Sequence, residues 1–544
     1  MTETLQTASV KTPTLSQTEF FRPSLDYPHI SYDKMLTYGA TRWPENVAVI
    51  FRDNNITFRE LEGLTNSFAR ALQGLGIKQG DKVCLLMTNR PEYIISFYAI
   101  ARIGAVVSPM NPSYKEREVE YQINNSEAVA VIVQNELLPL VEAVREQLPN
   151  LRQVITVGPG QPSGSTKFER FADLIKSQPA APLAEVKIGW QDLLALPYSS
   201  GTTGLPKGVL LSHENLVCNN LQMAASSRIT QNDHLMLFLP FYHIYGVMLM
   251  GTAMYTGATA VLMERFEPNE CMRLIKQHKI SLLYAVPPVL VMLTGWPELK
   301  NHDLSGIRHV MCGAAPLAPE VGRRFKQQTG VMVIQGYGLT EASPLTHISP
   351  VYSEELNVLE TIGLPIHDTE QKIVDIETGE KELGVGEVGE LCVRGPQVMQ
   401  GYWKAPESTA YALRDGWLFT GDIGFIDANG YVTIQDRKKE MIKFKGFGIA
   451  PAEIEALLFE HPGVADVAVI GKPDDEAGEV PKAFVVRKAE AASLTVEELL
   501  EFAGGRLAKY KMVQEIEFIE VIPKTASGKI LRRVLKEQEI QKKV

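Results

Sequence analysis

Three consecutive segments, KVCLLMT (82–88), PEYIISFYAIARIG (91–104) and AVVSPM (105–110), read as a buried strand, a helix ended by glycine and a second buried strand. A strand, a helix of more than three turns and another strand make a βαβ unit, which joins parallel neighbours in a sheet. The unit continues outward. AVAVIVQ (128–134) reads as a strand, LLPLVEAVREQL (137–148) as a helix and LRQVITVG (151–158) as a strand. The same rhythm returns at 281–286, 307–312 and 331–335. Repeated βαβ units imply parallel sheets covered by helices, so the fold class is α/β.

After Val432 the composition changes. DRKKEMIKFKGFGIAP (436–451) is rich in charge and glycine. Beyond it, PAEIEALLFEHP (451–462) and TVEELLEFAGGRLA (495–508) read as helices. VADVAVIGKP (464–473), KAFVVRK (482–488) and EIEFIEVIP (515–523) read as strands, before a basic end, KTASGKILRRVLKE (524–537). This is a compact α+β module of about a hundred residues, a usual domain size. The expected organisation is a large N-terminal domain, 1–438, and a small mobile C-terminal domain, 439–544.

The 544 residues carry 45% apolar and 22% charged side chains, which is ordinary globular composition. A net charge of -10 and a pI near 5.6 argue against a nucleic-acid partner. Cys84, Cys218, Cys271, Cys312 and Cys392 form no CxxC pair, which fits free thiols in a reducing cytoplasm rather than disulfides or zinc. The opening MTETLQTASVKTPTLSQ has no basic region followed by an apolar core, so no secretory leader is expected. The stretch 235–263 lacks Asp, Glu, Lys and Arg. It holds Pro240, His243, Gly246, Gly251 and Gly257, however, and reads as a buried helix leading into a buried strand, not a transmembrane segment.

Five segments carry chemistry. Tyr198-Ser-Ser-Gly-Thr-Thr-Gly-Leu-Pro-Lys-Gly208 follows the apolar run LLALP. Its glycines let backbone approach a ligand, and its hydroxyls, N–H groups and Lys207 make an anion cradle, although it is not a Walker A loop. A plain Ser/Gly turn would not need the lysine and this density of hydroxyls. Gln335-Gly-Tyr-Gly-Leu-Thr-Glu-Ala342 follows the strand VMVI, and open α/β sheets bind ligands at the C-terminal ends of strands. There Tyr337 offers a stacking face, Thr340 a hydroxyl and Glu341 a hard oxygen for Mg²⁺ on a triphosphate. Thr420-Gly-Asp422 supplies a carboxylate that could accept two ribose hydroxyls, with Arg437 in reach of the same sugar. Lys439, Lys443 and Lys445 form one lysine cluster, and Lys529 closes Pro523-Lys-Thr-Ala-Ser-Gly-Lys529. Two clusters on one small module suit two different anionic steps. Phe241-Tyr-His-Ile-Tyr-Gly246 resembles a pocket wall with one polar handle.

Together, and in this order, these segments resemble the adenylate-forming superfamily of acyl-CoA synthetases, peptide-synthetase adenylation domains and beetle luciferases. The resemblance runs from about residue 30 to 535 and is nearest to fatty-acyl-CoA ligases and 4-coumarate:CoA ligases. It implies an AMP-forming ligase using ATP, Mg²⁺ and coenzyme A on a small carboxylic acid. By motif match, Ser199, Ser200, Gly201, Thr202, Thr203 and Lys207 would cradle the ATP phosphates. Ala314, Gln335, Gly336 and Tyr337 would line the adenine and acyl-adenylate site, and Thr340 would contact the phosphate. Glu341 would hold the metal, and Asp422 and Arg437 the ribose. Lys439 falls at the hinge. Lys529 would catalyse adenylation and Lys443 would serve the thioester-forming arrangement. Lys445 and Gly446 would contact coenzyme A, while His243 and Tyr245 would border the acyl pocket. GYGLTEASPLTH (336–347) leans toward medium or long fatty acids, whereas FYHIYG and GAAPLAPE (313–320) resemble coumarate ligases. A free-standing ligase that loads a carrier protein is the other alternative. Oligomeric state is not written in these motifs.

Overall fold

The computed structural model describes residues 24–52, 54–160, 167–199, 206–444, 447–474, 477–504, 506–507, 511–525 and 528–542. Among them the opening βαβ reading holds. Strands Lys82–Leu86 and Val106–Pro109 pair in parallel around the helix Pro91–Arg102. All of that helix except Glu92 is buried. A helix apolar on all sides has to lie inside the protein, which is where this one packs. Its last residue, Arg102, is buried too, and it is satisfied by Asp33 at 3.3 Å, Glu62 at 2.8 Å and Asn66 at 2.7 Å. That shared cation ties the helices Asp33–Arg42, Phe58–Gly74 and Pro91–Arg102 together.

The large domain holds two sheets of nine described strands each. One contains Lys82–Leu86 and Val106–Pro109, with Ala130–Gln134, Gln153–Val157 and the short Glu169–Arg170 continuing in parallel on one side. On the other side Lys207–Ser212 and Gly401–Tyr402 close it antiparallel. The second sheet runs in parallel through Val47–Phe51, Thr259–Leu262, His234–Leu237, Leu282–Ala285, His309–Cys312 and Val333–Gly338. A third, antiparallel sheet contains Trp417–Ile426 and Val432–Arg437. One apolar core runs through the first two sheets, the helices packed on them and part of the third.

The small domain has its own sheet and its own apolar clusters, one around Ile442, Val469 and Leu499 and another around Phe484 and Leu535. Its strand Glu515–Phe518 lies parallel to Gly478–Arg487, while the other pairs are antiparallel.

Two local expectations need correction. Residues 137–148 do not form one helix. The helix Leu138–Ala143 is flanked by 3-10 turns Asn135–Leu137 and Arg145–Gln147, and Pro139, which fits only the first turn of a helix, sets its start. The strand after VMVI runs on through Gly338, so Gly336-Tyr-Gly is extended backbone paired antiparallel with Leu345–Ile348. The uncharged stretch 235–263 is strand His234–Leu237, helix Ile244–Thr256 and strand Thr259–Leu262, and no described helix is long and apolar enough to cross a membrane. All five cysteines are free and buried.

Gly251 lies where three helices meet. A Cβ there would stand 2.1 Å from the Tyr32 hydroxyl and 2.5 Å from Asn220 Oδ1. Gly251→Ala should therefore cost about 1–3 kcal/mol by overpacking. Gly74→Ala, at a helix end with open space around its Cβ position, should be neutral or slightly stabilising. Thermal unfolding of the two variants beside the parent measures the difference, and equal melting temperatures for both would contradict this packing account.

Candidate functional site

Parallel strands His309–Cys312 and Val333–Gly338 are in register at Cys312 and Gln335. Their C-terminal ends carry Gly313-Ala314 and Gly336-Tyr337 side by side. A Cβ on Gly313 would come within 2.7 Å of the Gly336 carbonyl, and one on Gly336 within 2.1 Å of Met311 Cε. Glycine at both positions is what permits this close approach of backbones. Ala314 takes a left-handed conformation, φ 70°, which turns the chain away from the strand end. Gln335 is buried and donates its amide to the Leu359 carbonyl.

Asp422 lies opposite, in the strand Trp417–Ile426, just after a left-handed Gly421 with φ 71°. That glycine coincides with a shift of register against the neighbouring strand. Asp422 faces Arg437 in register on Val432–Arg437, and its Oδ1 meets Arg437 Nε at 2.7 Å. Its Oδ2 accepts the Tyr337 hydroxyl at 2.5 Å. Burial, followed by the Asp422 charge, pushes the Tyr337 phenol up, so it remains a donor. The Asp422 charge also raises Arg437, so the guanidinium stays charged. Each carboxylate oxygen keeps a second lone pair for another donor. The Asp422 carboxylate is thus already held by protein on both oxygens, which sequence reading did not anticipate.

Thr340 and Glu341 stand on the 3-10 turn Thr340–Ala342 that follows the strand. Glu341 Oε1 accepts the Tyr402 hydroxyl at 2.9 Å, and its carbonyl accepts the Met399 N–H at 2.8 Å. Among the described residues no group of three or more His, Cys, Asp or Glu could hold a metal alone. One half-buried carboxylate fits instead a Mg²⁺ that arrives already shared with phosphates, since that ion keeps waters and needs only one or two protein oxygens.

The glycine- and hydroxyl-rich loop begins and ends on paired strands. Ser199 pairs with Lys207 and Tyr198 with Gly208. Tyr121 donates its hydroxyl to the Pro206 carbonyl at 2.8 Å, and Tyr198 donates to Asn125 at 2.6 Å. Lys207 Nζ donates to Ser408 Oγ at 2.8 Å and lies 5.6 Å from the centre of the Tyr402 ring. Ser200, Gly201, Thr202 and Thr203 lie outside the described residues, as do Lys445 and Gly446.

The small domain meets this cluster through the turn between Lys524 and Ile530, which face each other as an antiparallel bridge. Gly528 is left-handed, φ 85°, and a Cβ on it would stand 2.5 Å from Pro288 of the large domain. Lys529 follows, and its ammonium is acted on by Arg437, Asp422, Glu341 and Glu440. Burial first, then Arg437, pushes it down to about 8. Lys439 is lowered to about 8 as well, by burial and then by Lys529 and Arg437. The structure therefore brings Lys439 and Lys529 into one electrostatic cluster with Asp422 and Arg437. Lys443 is exposed on the strand Ile442–Phe444, where its N–H donates to Glu479 at 2.9 Å.

His243 and Tyr245 mark the start of the helix Ile244–Thr256. Solvent reaches His243, yet surrounding protein pushes its imidazole down to about 4, so it is neutral at pH 7. A Cβ on Gly313 would lie 3.5 Å from the Tyr245 ring, and the Tyr245 hydroxyl is buried without a hydrogen-bond partner among the described residues. Tyr402, Ser408 and Tyr121 were not singled out from sequence. GYW (401–403) just ahead of the helix Pro406–Ala412 was the available signal for Tyr402.

Comparison with known proteins agrees with this layout. The sequence pattern described as AMP-binding enzyme matches residues 36–403, and the one described as AMP-binding enzyme C-terminal domain matches 453–529. A long-chain-fatty-acid–CoA ligase of Bacillus subtilis (strain 168) is 36% identical over 541 residues, covering 95% of this chain and 96% of the relative. The 4-coumarate–CoA ligase CCL1 of Humulus lupulus is 38% identical over 492 residues, covering 88% of each. The crystal structure of ATP-bound MatB from Rhodopseudomonas palustris superposes with a TM-score of 0.86 at 30% identity, over 94% of this chain and 99% of that one. The apo form of the same enzyme gives 0.76. With both of its sequence patterns matched in order, relatives aligned over nearly the whole length, and a large α/β domain followed by a small one, this chain belongs to the AMP-binding enzyme family.

Proposed function

We propose that the chain is an AMP-forming carboxylate:coenzyme A ligase that activates a medium- or long-chain fatty acid. The observation that carries the reading is the close approach of Gly528, in the small domain, to Pro288 of the large one, which brings the next residue, Lys529, within electrostatic range of Glu341, Asp422 and Arg437. The higher TM-score to the ATP-bound than to the apo form of MatB supports this arrangement as the one that makes the adenylate.

A carboxylate does not acylate a thiol, because oxide is too poor a leaving group. In the proposed reaction one carboxylate oxygen attacks the α-phosphorus of ATP, pyrophosphate leaves, and a mixed anhydride forms. Attacker and target are both anionic, so fixed positive charge is needed where they meet. Lys529 would supply it, bridging the acid and the α-phosphate. Asp422, oriented by Tyr337 and Arg437, would accept from the ribose, and Tyr337 and Gly336 would border the base. Lys207 and the loop Ser199–Thr203 would hold the phosphates, with Thr340 beside them. Glu341 would hold Mg²⁺, which supplies neutralising charge to the triphosphate. The thiol of coenzyme A would then attack the carbonyl and release AMP.

In the proposed mechanism Lys529 would occupy the face from which a thiol must enter, so the small domain would turn between the two half-reactions. The turn is assigned to Lys439, which puts the domain boundary between 438 and 439 and brings Lys443, Lys445 and Gly446 to the site in the second arrangement. A cytoplasmic location belongs to the same proposal, on the strength of five free thiols.

The fatty-acid assignment rests on the Bacillus relative, aligned over 95% of this chain, and on the uncharged helix after His243 with Met248, Met250 and Met254. Unbranched, flexible methionines adapt to flexible chains. The 38% identity to 4-coumarate–CoA ligase keeps an aryl-propenoate acid as the second reading.

Pyrophosphate release with ATP, Mg²⁺ and coenzyme A, run over octanoate to hexadecanoate with 4-coumarate and benzoate alongside, should yield fatty acyl-CoA masses. A 4-coumaroyl-CoA product in their place would keep the ligase and replace the substrate. Lys529→Ala should cut adenylate formation by about 10²–10³ and leave thioester formation from supplied acyl-AMP largely intact. Lys439→Pro should do the reverse by stiffening the turn. Equal loss of both half-reactions in either variant would refute the alternation.

The pH dependence follows from the same lysine. A value near 8 means Lys529 is cationic below that pH and neutral above it. The kcat/KM for ATP, which reports the free enzyme, should stay level with respect to this group below pH 8 and fall above it. Lys529→Arg should remove the alkaline fall whatever its absolute rate. An identical fall in the arginine variant would assign it to another group.

A further inference from the structure

Tyr402 touches two groups that the proposed function places at opposite sides of the ATP phosphates. Its hydroxyl donates to Glu341 Oε1 at 2.9 Å, and its ring face lies 5.6 Å from the Lys207 ammonium. Neither contact is loose. The Tyr402 N–H donates to Thr409 Oγ1 at 2.9 Å, and Tyr402 is in register with Val209, two residues after Lys207. Gly401 before it has φ 145°, and a Cβ there would strike Thr409 Cγ2 at 2.7 Å. The Gly401–Tyr402 strand is thus pinned from both sides, and so is the direction of the phenol. Between a phenol O–H and a carboxylate oxygen, the phenol is the donor.

We propose that Tyr402 is a positioning residue for the metal–triphosphate end of the site, holding Glu341 in one rotamer and Lys207 within reach of the same phosphates. The proposal rests on the function set out above and assigns a residue to it. A carboxylate that gives one oxygen to Tyr402 has the other oriented for a cation. Lys207, meanwhile, donates to Ser408 at 2.8 Å. A neutral hydroxyl is a weak partner for an ammonium, so an arriving phosphate displaces it, and the ring face keeps the ammonium close while the exchange occurs. One side chain therefore links the metal ligand of the site to its phosphate lysine through two physically different contacts.

The two contacts separate by mutation. Tyr402→Phe keeps the ring under Lys207 and removes the hydroxyl from Glu341, while Tyr402→Leu removes both. ATP binding to the full chain is measured by calorimetry, without divalent cation and then across a Mg²⁺ titration, with thermal unfolding as the check on folding. A hydrogen bond to a charged group corresponds to about tenfold in affinity. Tyr402→Phe should therefore raise the half-saturating Mg²⁺ by about tenfold and leave metal-free ATP affinity within about twofold. Tyr402→Leu should weaken metal-free binding as well. Combining Tyr402→Phe with Glu341→Gln should add little to the Mg²⁺ defect of Glu341→Gln alone, because both act on one interaction. An unchanged Mg²⁺ midpoint in Tyr402→Phe, or full additivity in the double variant, overturns the proposal. If the parent chain binds no ATP with Mg²⁺, the ligase reading itself fails, and that result is distinct from either.

Discussion

The charge pair between Asp422 and Arg437, closed on its other side by the Tyr337 hydroxyl, is the contact on which the site depends. A carboxylate buried to this degree is costly unless both oxygens are satisfied. Here one donor comes from the second sheet of the large domain and the other from the strand next to the domain boundary. The Tyr337 hydrogen bond to Asp422 therefore ties the third sheet to the strand ends that carry Gly313 and Gly336. Removing one partner of a buried pair costs about 3–5 kcal/mol, and Arg437, a third exposed, belongs at the lower end. The same pair sets the field in which the two lysines of the small domain sit. Arg437 pushes Lys439 and Lys529 toward neutrality, and Asp422 pulls them back.

Among the contacts between the domains, Gly528 rests on Pro288, and Asp436 accepts the Ala452 N–H at 2.8 Å, at the start of the helix Pro451–Phe459. A polar contact and a glycine–proline touch of this kind are easily exchanged. Each domain keeps its own core, so a rotation of one against the other would leave both intact.

Much of this was legible in the sequence because the signals are local. The βαβ alternation of 82–110 depends on apolar periodicity and a terminal glycine. The shift after Val432 is one of composition. The glycines at 313, 336, 421 and 528 mark places where backbone or a left-handed φ must be accommodated, and the motifs containing the last three were visible as motifs. The rest depends on contacts between distant segments. Nothing near Tyr402 announces Glu341, 61 residues away, and nothing near Asp422 announces that Tyr337 already occupies one of its oxygens. The broken helix at 137–148 shows the limit of local reading from the other side, since apolar spacing alone does not register how Pro139 restricts the turn before it.

The five buried cysteines acquire a meaning from the proposed chemistry. An acyl-adenylate is an electrophile built to be captured by sulfur. A chain that makes one must offer it only the thiol of its substrate. Burial pushes Cys84, Cys271 and Cys392 up to about 12 and raises Cys218 and Cys312 further, so none supplies thiolate at neutral pH. Cys312 makes the case most sharply. It ends the strand that leads directly into Gly313 and Ala314, one residue from the backbone of the site, yet its sulfur is fully buried. The packing that excludes water from the core therefore also protects the enzyme from acylating itself.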